Sequence, residues 1–152
     1  MATRSRIARA DSAGGFTSIY CHWDGYPEGV GRTLQEHYTD PAKIDALLAL
    51  GDISSLDVDI GSKHDFNGDH KGVVNAYGRD RGEVNTAAKR SVNATALRAA
   101  CDGCGAEFLY VWKDGTWYVT GSNSVRFFGM GDDDGWAEGE LLTDALSRKE
   151  AA

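Results

Sequence analysis

Phe16-Thr17-Ser18-Ile19-Tyr20-Cys21-His22-Trp23 can be read as a strand with two unlike faces, and the turn residues Asp24-Gly25-Tyr26-Pro27 end it. Successive side chains on a strand point to opposite faces. Thr17, Ile19, Cys21 and Trp23 therefore share one face, and Phe16, Ser18, Tyr20 and His22 the other. Upstream, residues 3–10 read as a partner strand, with Gly14-Gly15 as the hairpin turn between the two.

Outward from this hairpin the pattern changes to helical. Val30, Leu34 and Tyr38 fall on one stripe of a short helix over residues 30–38. Asp40 caps a second helix, Pro41 suits its first position, and Ile44, Leu47 and Leu48 make its buried face. Gly51 suits a left-handed stop. Leu56-Asp57-Val58-Asp59-Ile60 alternates as a strand, residues 61–72 are a polar loop, and Val73–Tyr77 is a further strand. Asp80-Arg81-Gly82-Glu83 has the form of a capping box opening an alanine-rich helix to about Ala100. Glu107–Trp112 and Thr116–Thr120 flank the hairpin turn Asp114-Gly115. Val125–Phe128 reads as one more strand. Asp132-Asp133-Asp134 precedes a last helix carrying Trp136, Leu141, Leu142 and Ala145.

This order predicts a single α+β domain over residues 1–152. It has a mainly antiparallel sheet of about five or six strands and three or four helices. The acidic C-terminal helix within 131–152 is read as peripheral.

The composition suits that size. Of 152 residues, 26% are charged and 41% hydrophobic, and the formal net charge is −7. Such a surface favours solubility or a basic partner, and it repels nucleic acid and anionic lipid, so direct DNA binding is not expected. No apolar run is long enough for a membrane span. Three cysteines (Cys21, Cys101, Cys104) and a basic start without an apolar core run predict free thiols, no secretory signal and a cytoplasmic setting.

Four constellations could carry chemistry. Tyr20–Pro27 gathers aromatics, a histidine, a thiol and an acid; Cys21 and His22 should diverge on a strand, so recognition is expected there rather than a catalytic dyad. Cys21 and Trp23 are expected in the core, leaving Tyr20, His22, Asp24 and Tyr26 free to bind. Arg79 and Arg81, between Gly78 and Gly82, could hold a phosphate or carboxylate. Asp65-Phe66-Asn67-Gly68-Asp69 begins like a calcium loop, but His70 and Ala76 stand where that motif needs Gly and Glu. Cys101-Asp102-Gly103-Cys104 lacks a second ligand pair for zinc. No catalytic set, metal or cofactor is expected from these patterns.

Thr3–Ile7, Ser18–Pro27, Leu34, His37-Tyr38, Leu50–Leu56, Gly78–Glu83 and the hairpin around Asp114 together resemble a family of small phage and prophage accessory proteins. The resemblance covers about residues 3–120. It implies action inside a bacterial host, as a counter-defence factor that binds and inhibits a host immune protein. Three functions stay open. The first is that non-catalytic binder, with Tyr20, His22, Asp24, Tyr26 and His37 in its contact surface. The second is a nucleotide-binding sponge using the aromatics with Arg79 and Arg81. The third is a small metal-dependent hydrolase using His22, Asp24, His37 or the Asp57–His70 region. A homodimer is compatible with each.

Overall fold

The hairpin forms as its alternation requires. Strand β1 (Ser5–Ala10) pairs antiparallel with β2 (Phe16–Cys21), Ile7 facing Ile19. The computed structural model describes residues 2–121 and 140–151. The remaining elements are a π-helical turn (Pro27–Gly31), α1 (Arg32–His37), α2 (Pro41–Ala49), β3 (Ile53–Ser55), β4 (Asn75–Ala76) and α3 (Tyr77–Arg81). They continue with β5 (Lys89–Ser91), α4 (Ala94–Cys104), β6 (Phe108–Lys113), β7 (Thr116–Gly121), β8 (Glu140–Leu141) and α5 (Leu142–Ala151). The fold is α+β: one sheet in the order β4-β3-β2-β1-β6-β7-β8, with β5 also on β2. Five pairings are antiparallel; β1 with β6 and β2 with β3 are parallel.

Both faces of the sheet are covered. Ile7, Ile19, Cys21, Tyr110 and Trp117 on one face meet Val30, Leu34, Tyr38, Ile44 and Leu47 from the helices after β2. On the other face Ala8, Phe16, Leu109 and Val111 meet Leu97 and Cys101 of α4. The first helix begins with a π-helical turn at Pro27 and is α-helical only from Arg32. Asp40 caps α2 through the Ala42 N–H (3.0 Å). Gly51 then turns the chain at φ 77°, and a Cβ there would stand 2.1 Å from the Thr86 carbonyl oxygen, so the stop is also a close backbone approach.

Several sequence expectations are corrected. The strand expected at 56–60 lies at Ile53–Ser55, and only Asp59 bridges to Val73. Asp80 does not open a helix. It lies inside α3, which stops at Gly82 (φ 73°), and the later helix is capped by Asn93, whose side chain accepts from the Ala96 N–H. The Asp80 carboxylate is claimed instead by the N–H groups of Ala76 and His64 and by Arg79. The C-terminal helix is not peripheral, because Leu142, Ala145 and Leu146 join the main core. That spacing puts all three on one face of α5. Residues 125–128, 132–134 and 136 lie outside the described residues.

Candidate functional site

β2 changes neighbours along one edge. Its first half pairs with β5 (Ser18 with Lys89), and its last residue pairs with β3 (Cys21 with Ile53). Tyr20 lies between these two pairings, and its N–H donates to the Asp52 carboxylate (2.9 Å). The Tyr77 N–H donates to the Asp52 carbonyl on the far side (3.3 Å). Arg6 of β1 is in register with Tyr20. Arg6, Tyr20, Asp52 and Tyr77 therefore form one row across four neighbouring segments, on the face opposite Cys21.

The Tyr20 ring leans along its strand toward His22, with its hydroxyl 2.6 Å from Nδ1. Burial raises the Tyr20 phenol above its ordinary pKa. His22 in turn meets Trp23 edge-on at 4.8 Å. Cys21 points the other way into the core, where burial pushes its thiol up to about 12. A Cys21–His22 dyad is geometrically closed off.

The expectation that Trp23 is core is wrong: it is 44% exposed. The strand ends at Cys21, and the chain then bends into a left-handed Asp24 (φ 57°), which breaks the alternation. The loop is nonetheless rigidly tied. The Gly25 N–H donates to the Thr3 carbonyl (2.8 Å), and the buried Tyr110 hydroxyl donates to the Gly25 carbonyl (2.6 Å). A Cβ on Gly25 would lie 2.7 Å from that same Thr3 oxygen. Tyr26 is 40% exposed and donates to Asp24 (3.2 Å). The negative charge of Asp24, then that bond, then burial and Glu28, raise the Tyr26 phenol pKa. Two exposed rings thus share this loop, and the Tyr26 ring lies beside carboxylates.

The arginines do not join this loop as a phosphate clamp. Arg79 donates to the carbonyls of Ile60 (2.8 Å) and Val74 (2.7 Å) and to Asp80, so its fork is filled internally. Arg81 lies over Phe66 (4.3 Å) and Tyr77 (5.0 Å) and pairs with Glu83. His37 ends α1 beside Glu36. Among the described residues no group of three or more His, Cys, Asp or Glu side chains is placed to hold a metal ion. Cys21 and Cys101 lie in cores on opposite faces of the sheet, so they cannot share one.

Sequence reasoning missed the groups beside this row. Arg6, Asp52, Asn85, Lys89, Gly103 and Cys104 line a polar cavity of about 510 Å³ at the β2 partner switch. A second cavity of about 580 Å³ lies between α2 and the β1–β2 hairpin, but its charges are already paired, Arg9 with Asp45 and Asp11 with Arg90. Within β1 the sequence signal for the first was Arg6, a charged residue in an otherwise buried stretch of the strand.

Thiol chemistry checks the placement of α4. Cys101 is buried, and desolvation pushes it up to about 12; Cys104 is part exposed at the cavity. Under native conditions Ellman's reagent should titrate one thiol, Cys104, and in denaturant all three. Rapid native reaction at Cys21 or Cys101 would contradict the packing.

The chain matches no protein-family model, no curated protein and no solved structure.

Proposed function

We propose that the protein is a non-catalytic binding protein whose recognition element is the Trp23–Glu28 loop, taking a lysine or arginine of a partner protein. The observation that carries this reading is the pair of rings, Trp23 and Tyr26, exposed by 44% and 40% on a backbone-anchored loop beside Asp24 and Glu28. A cation over an aromatic face beside carboxylates gains cation–π and ionic attraction together. Rigid aromatic anchors lose little entropy on binding and are common interface hot spots. The net charge of −7 favours a basic partner. In the setting that the resemblance implies, that partner is a bacterial defence protein, which the complex would inhibit in the host cytoplasm.

Immobilised protein should retain a basic protein from bacterial lysate, less strongly as salt rises. A Trp23→Ala/Tyr26→Ala variant, in which only exposed side chains change, should retain at least about tenfold less, as hot-spot truncation predicts. Equal retention by both proteins, or none by either, rules the reading out.

A further inference from the structure

We propose that the cavity at the β2 partner switch binds a small phosphate monoester, with Arg6 and Lys89 on the phosphate and Asp52 and Asn85 on hydroxyl or amino groups at the other end.

Arg6 is 6% exposed, yet it uses only part of its fork. Nε donates to Ser18 Oγ (2.8 Å), and Nη1 makes a weak contact with Cys104 Sγ (3.7 Å). Among the described residues no carboxylate stands within ion-pair distance of it, and its bonds run through Nε and Nη1, which leaves Nη2 to the cavity that the residue lines. Asp52 on the same cavity feels the Arg6 charge but makes no hydrogen bond to it, so a largely buried guanidinium is only partly compensated, and an anion held directly on it would improve that balance. Lys89 is placed to help. Its strand partner is Ser18, the residue that holds Arg6, so both side chains rise from the same face of the sheet. Among the described residues its ammonium is likewise unpaired.

Two cations match the charge of a phosphate monoester, about −1.5 to −2 near neutral pH, better than that of a monocarboxylate. The remaining polar groups on the cavity select for the rest of the ligand. Asp52, an acceptor already fixed by the Tyr20 N–H, would repel a second anion and accept from a hydroxyl or amine. Asn85 holds a left-handed φ of 61° on the 85–89 wall, where it adds a donor and an acceptor. Ala99, Ala100 and Gly103 of α4 leave the space open, and about 510 Å³ lies within the usual range of small-ligand sites. The Tyr20 ring does not fill the gap because it is drawn toward His22.

Calorimetric titration with ribose 5-phosphate, adenosine 5′-monophosphate, inorganic phosphate, ribose and adenosine tests the assignment. At least one ester should bind, the unphosphorylated compounds should not, and the bound ester should slow alkylation of Cys104. Lys89→Met alters an exposed side chain and should weaken the ester at least about tenfold with an unchanged melting temperature. Arg6→Met should abolish binding. Trp23→Ala should leave ester binding intact, which separates this site from the partner loop. No heat from either ester at millimolar concentration, inorganic phosphate binding as tightly as the esters, or unchanged affinity in Lys89→Met would each overturn the proposal.

Discussion

Asp80→Ala should cost the fold about 3–5 kcal/mol, as breaking a buried charge network usually does. The carboxylate is wholly buried and accepts from the Ala76 N–H (2.8 Å), the His64 N–H (3.1 Å) and Arg79. Arg79 also carries the Ile60 and Val74 carbonyls, so the start and end of the loop through residues 61–74 are tied to α3 here. Without Asp80 a partly buried guanidinium loses its counter-charge and two backbone donors lose their acceptor. The effect also depends on pH. Burial alone would push the Asp80 carboxyl up, but the bonds from Arg79, Ala76 and His64 outweigh it and hold the carboxyl below its ordinary value. A carboxyl depressed on folding stabilises the native state above its unfolded pKa of about 3.9, and this is lost as pH falls through the folded value. Urea unfolding at a series of pH values should show a wide gap between native protein and variant at pH 7, narrowing below about pH 4. A gap under 1 kcal/mol at neutral pH would show that the network contributes little.

Trp117→Ala should cost a similar amount, about 3–5 kcal/mol, through a different physical term. Trp117 is 1% exposed, packs against its cross-strand neighbour Trp112 at 5.3 Å, and donates its indole N–H to the Tyr38 carbonyl (2.8 Å). Truncation leaves a cavity in the main core and an unpaired carbonyl after α1. Trp117→Phe keeps most of the apolar contact and loses the donor, so about 1–2 kcal/mol is expected from it. The two variants unfolded in urea should rank in that order. Equal losses would mean that the hydrogen bond, not the packing, dominates.

Where these predictions rest on local pattern, the sequence was sufficient. The alternation of residues 16–21 and the Asp114-Gly115 turn placed the two hairpins, because strand pairing and turn geometry are set by residues a few positions apart. Asp40 and Pro41 placed the start of α2 for the same reason. Asp80 shows where that reasoning stops. Its D-x-x-E spacing is that of a capping box, but donors from His64 and Ala76 took its carboxylate and the helix cap passed to Asn93. Trp23 shows it again, since nothing in the alternation announces that the strand ends at Cys21.

By itself, then, the sequence determined the class of the domain, its hairpins and the capped helix α2. Only the tertiary structure decided which face of the Tyr20–Pro27 segment is open, that Arg79 is an internal tie, and that Arg6, Asp52 and Lys89 surround one cavity. The physical reason is distance along the chain. Capping and turn preferences act within about four residues. The cavity depends on β2 exchanging β5 for β3 and on Arg6 meeting Cys104 across 98 positions, pairings chosen by the packing of the whole sheet.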